Sequence, residues 1–198
     1  MYGKLPNTKI KASYNLVESS STALNGNATR KQVEITFLHK GMKRKALLLM
    51  YLPNETKKPV PVFLQFNFQG NQTVSNDPAI IPSPYSTHPR GNQLSRWPIE
   101  MIVKAGYGVA TVHYFDFYPD KKERHPESIL PFFGYESEGD LANTDGQAIA
   151  AWAWGYSRMM DYLEKDKQID AKKVIVMGHS RLGKTALWAG VNDKRFAI

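Results

Sequence analysis

Between Gln32 and Leu38 every second residue is apolar, at Val33, Ile35 and Phe37, the period of a strand with one buried face. His39-Lys40-Gly41-Met42 is read as a hairpin link into Arg44 to Leu52, a run too apolar to be solvated on both sides. Pro53 and Pro59 bracket a charged turn, after which Val60 to Phe66 reads as a buried strand. Helical signals run from about Leu94 to Lys104 and stop at Gly106. Gly108 to Tyr114 is β-branched enough for a further buried strand. From Asp145 to Glu164 the positions Ile149, Trp152, Tyr156, Met159, Met160 and Leu163 fall on one helical face, so Trp152 and Trp154 are expected to pack rather than to bind sugar. Lys173 to Met177 is a last short strand, and a helical pattern follows it. Strands alternating with helices predict an α/β fold with a mostly parallel sheet covered on both faces, in one domain over residues 1–198.

Three stretches carry no such period. Residues 1 to 30 are polar and turn-rich, with Ser19-Ser20-Ser21 and Asn25-Gly26-Asn27, and are expected to be loop apart from one strand around Lys11 to Glu18. Asn67 to Arg96 is rich in Pro, Asn, Ser and Gly, a loop long enough to be functional or mobile. Within it Asn71 and Gln72 are placed where a substrate loop would be, with solvated loop as the blander expectation. Asp116 to Glu138 mixes aromatics, prolines and charges near His113 and His125, with Asp120 and Glu123 between them. None of these has the tight spacing of a zinc motif, so no metal is expected.

The chemistry concentrates after the last strand, in Gly178-His179-Ser180-Arg181-Leu182-Gly183-Lys184. Strand, serine between glycines, then helix is the layout of a nucleophile elbow. In such a turn the serine is lifted above the sheet edge, and the first unpaired N–H groups of the helix face the reacting oxygen. The spacing is G-x-S-x-x-G rather than the commoner G-x-S-x-G. Arg181 and Lys184 put two cations in the first helical turn, where the dipole disfavours them. Lys184, four residues after Ser180, lies on nearly the same side of the helix. Either both are plain solvated cations or they serve an oxygen-rich substrate.

Composition trims the alternatives. The chain has 198 residues, 42% of them hydrophobic, and no cysteine, which excludes disulfides and thiolate metal sites. No run is apolar and long enough to span a membrane, and the start lacks the apolar core of a secretory leader. The net charge of +8 is spread along the chain without a nucleic-acid signature, and it suits an anionic polysaccharide as well.

The elbow resembles the G-x-S-R-x-G-K signature of the glucuronoyl esterases, carbohydrate esterase family 15, in its bacterial form. Ala150-Ala151-Trp152-Ala153-Trp154-Gly155 with Ser157-Arg158, Asn67-Phe68-Gln69-Gly70-Asn71 and Asp193-Lys194-Arg195-Phe196-Ala197 extend the resemblance over nearly the whole chain. It implies an α/β-hydrolase three-layer sandwich and hydrolysis of esters joining glucuronoxylan to lignin alcohols, with no cofactor. It implies Ser180 as nucleophile, Arg181 at the oxyanion and Lys184 on the glucuronoyl sugar. It also suggests a secreted or periplasmic enzyme acting on plant cell-wall polymer; that neither nucleic acid nor membrane takes part is the expectation from the spread charge and the lack of a long apolar run.

A serine needs a base, and the base needs a carboxylate. After Ser180 the chain holds one acid, Asp193, and no histidine. His39, His88, His113, His125 and His179 precede the serine, and His179, adjacent to it, is expected to point away. In the resembled family the acid and the histidine lie further downstream, and the family begins upstream of Tyr2-Gly3. The expectation is therefore a catalytic domain truncated at both ends. An acetylxylan-type esterase and an inactive fragment are the two rival readings.

Overall fold

The computed structural model describes residues 2–3, 5–137, 140 and 147–197, and the side chains of Lys122 and Glu123 are not among those described. Asp145, Glu138 and the Glu123 side chain, named above, thus lie outside the described residues. A six-stranded sheet runs β1 (Lys11–Ala23), β2 (Ala28–His39), β3 (Met42–Pro53), β4 (Val60–Asn67), β5 (Gly108–His113) and β6 (Ile169–Met177) along the chain. In space the order is β1-β2-β3-β5-β4-β6. The sheet is mixed. β1, β2, β3 and β5 pair antiparallel in turn, whereas β5, β4 and β6 form a parallel group.

The alternation in β2 does what its period requires: Val33, Ile35 and Phe37 are fully buried. Its ladder with β3 runs unbroken from Ala28↔Pro53 to His39↔Met42, closed by Lys40 and Gly41, both at positive φ as a two-residue hairpin needs. β1 extends five residues past Glu18, through Ser19-Ser20-Ser21, so the opening contains a longer strand than its polarity suggests. The reason is pairing. β1 is an edge strand that borrows its geometry from β2, and shifts of register at Leu16/Glu18 and Ser20/Ala23 absorb the mismatch.

Helices cover both faces. α1 (Ile99–Lys104) packs on β3 and β5, with Ile99 and Val103 meeting Leu49, Tyr51 and Val109. α2 (Ala148–Leu163) and α3 (Arg181–Asn192) lie together on the other face over β6. There Trp152 is buried and gives its indole N–H to the Tyr118 carbonyl, and Trp154 meets Phe37, Phe117 and Phe133 edge-on. Both tryptophans therefore pack, as the periodicity implied. No helix among the described residues is long and apolar enough to cross a membrane.

Candidate active site

Parallel strands align their carboxyl ends, so the segments leaving β4, β5 and β6 meet along one edge of the sheet. Tyr156 of α2 braces that edge. Its hydroxyl accepts from the Phe66 N–H and donates to the Met177 carbonyl, and its ring stacks on Phe66 at 4.0 Å. β4 and β6 are thereby tied together one residue before the chain turns at Gly178.

The turn itself is strained. Ser180 has φ 56 and ψ −128, a conformation that L side chains rarely adopt, and it is exposed. A Cβ on Gly178 would lie 2.2 Å from the Leu182 carbonyl oxygen, so no other residue fits there. Gly183 faces it, since its own Cβ would come 3.1 Å from the Gly178 oxygen. The extra residue in G-x-S-x-x-G thus places the second glycine against the first. Ser180 caps α3, and its carbonyl takes the N–H groups of Gly183 and Lys184 while the His179 carbonyl takes that of Leu182. The Arg181 N–H has no hydrogen bond among the described residues, which leaves it open to a developing oxyanion.

The Arg181 side chain reaches back over the edge. Its guanidinium lies 5.3 Å from the Phe68 ring centroid and 5.9 Å from that of Tyr114, and it pairs with the Asp120 carboxylate. Residues after all three parallel strands therefore meet at one cation. Lys184 is exposed one turn along α3 and has no ion pair among the described residues. A cavity of about 360 Å³ opens beside the turn, lined in part by Asn67, Phe68, Gln93, Arg96, Gly178 and His179.

Asn71 and Gln72 are neither solvated nor turned to a substrate: both are buried. Asn71 donates to the Leu47 carbonyl and accepts from Asn67, whose Oδ1 takes the Gly70 N–H. Gln72 accepts from the Ser83 N–H and donates to Ser86 and the His88 carbonyl. The long segment after β4 is accordingly a packed, cross-linked piece, with short 3₁₀ turns at Asn71–Thr73 and Leu94–Arg96. Nothing in the local pattern separates such polar residues from solvated ones, because their partners are distant in sequence.

Three of the five histidines are held by partners away from the turn. His113 is buried at the end of β5, two strands or about 10 Å across the sheet from β6. Its Nδ1 bonds to Ser83 Oγ, and burial pushes its pKa down to about 4, so it is neutral. His125 is buried with Nε2 on the Tyr135 carbonyl, and His39 bonds to the Lys9 carbonyl. No histidine shares a hydrogen bond with Ser180 among the described residues, and Asp193 is paired with Arg195. No cluster of His, Asp and Glu among them could hold a metal ion.

A mixed sheet with a parallel group of strands, flanked by helices and carrying a strained exposed serine between strand and helix, defines an α/β-hydrolase. The fungal glucuronyl esterase family matches residues 101–198. A solved glucuronoyl esterase from Solibacter usitatus is 44% identical with a TM-score of 0.89 over 98% of this chain. An esterase of family CE15 from a marine bacterial metagenome, described as promiscuous, is 40% identical with a TM-score of 0.83 over 99% of it. The 4-O-methyl-glucuronoyl methylesterase of Cerrena unicolor is 31% identical over 71% of this chain. The chain belongs to carbohydrate esterase family 15, the glucuronoyl esterases. It spans about half the length of the two solved relatives, 52% of each, and 32% of the Cerrena protein.

Proposed function

We propose that this chain carries the nucleophile of a serine carboxylic ester hydrolase that cleaves glucuronoyl esters between glucuronoxylan and lignin alcohols. The observation that carries the reading is the backbone of Ser180, left-handed and exposed, beside a helix whose first N–H is unpaired among the described residues. Ser180 Oγ adds to the ester carbonyl, the alcohol leaves, and water releases the uronic acid from the acyl-enzyme. The Arg181 N–H holds the oxyanion, a contribution of about 3 kcal/mol for one such donor. Lys184, one turn along the same helix, binds hydroxyls of the sugar. Each histidine within 1–198 is either held in a packing role or has no bond to Ser180, so the general base and its carboxylate are read as coming from outside these residues. The substrate is an extracellular polymer, which argues for a secreted or periplasmic site of action, and the net charge of +8 suits a uronic-acid chain.

Hydrolysis of benzyl glucuronate by the full-length enzyme and its Ser180→Ala variant tests this. Turnover should fall by at least about 10³-fold, as it does when a serine nucleophile is removed; normal turnover in the variant would end the assignment. A broader ester range is the second reading, favoured by the promiscuity ascribed to the marine relative. Comparable rates on acetylated xylan and on uronate esters would select it.

A further inference from the structure

Arg181 lies on an aromatic floor made by Phe68 and Tyr114, and one carboxylate, that of Asp120, fixes where on that floor it sits. Asp120 itself occupies the left-handed region, at φ 55. Aspartate and asparagine tolerate that region better than other L residues. Half of the Arg181 side chain and 28% of the Asp120 side chain remain exposed, and a pair so open to solvent adds little to folding. Its consequence is local: it decides the net charge at the mouth of the strained turn. Without Asp120 that mouth would hold two uncompensated cations, Arg181 and Lys184.

The charge matters because hydrolysis changes the charge of the ligand. A uronate ester is neutral at the reacting carbon. When water displaces Ser180 from the acyl-enzyme, the C–O bond to the serine breaks and the new carboxylic acid gives its proton to solvent at neutral pH. The product is an anion formed at Ser180, the residue next to the one that carries the guanidinium. A bare arginine would hold that carboxylate by two parallel hydrogen bonds, and so retain product better than it recognises substrate.

We propose that Asp120 is a positioning and discrimination residue: it anchors Arg181 over Phe68 and Tyr114, and its charge weakens the hold of the site on free uronate relative to the ester. This rests on the esterase reading of the same site. Asp120 does not touch the reacting atoms; it acts through Arg181. The partnership spans 61 residues of sequence, so no local motif announces it.

Sodium glucuronate and the neutral methyl ester of glucuronic acid, titrated calorimetrically into the full-length enzyme and its variants, all carrying Ser180→Ala so that the ester is not turned over, read the effect directly. Asp120→Asn keeps the left-handed preference and an acceptor for Arg181 while removing the charge. It should bind glucuronate about 5-fold more tightly, the upper end for an exposed pair. Its affinity for the ester should change by less than about 2-fold, since that ligand carries no net charge. In the full-length enzyme with Ser180 intact the same variant should be inhibited by glucuronate at correspondingly lower concentration. Asp120→Gly, which also removes the anchor, should lose affinity for the ester. Unchanged glucuronate affinity in Asp120→Asn, or an equal gain for acid and ester, would overturn the proposal alone. If Arg181→Ala binds glucuronate as well as the Ser180→Ala parent does, this proposal falls while the esterase reading, which uses only the Arg181 N–H, stands; if neither ligand binds any of these proteins, the reading of the whole site falls with it. A thermal unfolding scan of each variant separates misfolding from these outcomes.

Discussion

Arg30 and Arg181 each meet an aspartate, in opposite surroundings. Arg30 crosses the sheet with 6% of its surface exposed, meets Glu18 through two nitrogens, and pairs with Asp77. Around it the Gln32 amide donates to Glu18 and to the Ala79 carbonyl, and the Tyr51 hydroxyl donates to Asp77. Every group in that cluster has a partner, and the cluster pins the segment after β4 onto the sheet. At the elbow the inventory does not balance. Among the described residues Arg181 is half exposed with one carboxylate, Lys184 has none, and the Arg181 N–H is unpaired. A polar group satisfied within the chain is structure, whereas one left over at a strained turn is available to a ligand.

Breaking the first region should cost the most stability. Arg30→Ala would leave Glu18 and Asp77 facing each other without the cation, and should destabilise by about 3 kcal/mol, the lower end for breaking a buried pair. Urea unfolding monitored by circular dichroism measures it; a loss within 1 kcal/mol, about the size expected for exposed pairs, would place Arg30 in the same class as Arg181. Gly178→Ala attacks the second region. Its methyl would meet the Leu182 carbonyl, backbone that cannot swing aside, so the turn must open at a cost of about 2 kcal/mol. Here the stability loss should be smaller but the loss of hydrolysis in the full-length enzyme far larger, since the displaced residue is Ser180. An active Gly178→Ala enzyme would mean the strain at Ser180 is incidental.

What could be read from the sequence follows the range of the forces involved. The buried faces of β2, β3 and β4, the hairpin at Lys40-Gly41 and the strand–serine–helix turn are local, and each is legible in a few residues. The strand through Ser19-Ser20-Ser21 is not, because its partner β2 supplies the geometry. Asn71 and Gln72 look like solvated loop until Leu47, Asn67 and Ser83 are brought to them by the fold. Tyr156 reads as one more residue on an apolar helical face, although its hydroxyl joins β4 to β6 beneath the elbow. Asp120 sits among prolines and charges in a segment without period. Contacts across the sheet edge are what local pattern cannot carry.

Asp116 sharpens the comparison, being a carboxylate that has burial without a cation among the described residues. It lies at the end of a 3₁₀ turn after β5 and accepts the Leu47 N–H at 3.1 Å. Burial pushes its pKa up to about 7, and the Leu47 hydrogen bond offsets only part of that. Glu18 goes the other way, held below the usual range by its hydrogen bond to Arg30; Asp77 does so despite burial, through the Ala79 N–H, the Tyr51 hydroxyl and Arg30. The two kinds of carboxylate therefore give opposite slopes. Glu18 and Asp77 contribute stability above their unfolded pKa values, near 4, and lose it as pH falls through their lower folded values. Asp116 holds a proton in the folded state that the unfolded chain releases near pH 4, so its contribution declines as pH rises from about 4 to about 7 and is flat beyond. Asp116→Asn, neutral at all pH and still able to accept the Leu47 N–H, should remove that decline. The variant should melt higher than the unmodified chain at pH 8, by as much as about 10 °C, since about three pH units of linkage amount to about 4 kcal/mol, and no higher at pH 4. Equal melting temperatures at pH 8 would mean that the carboxylate ionises in place at little cost, and that a cation is not what separates Asp77 from Asp116.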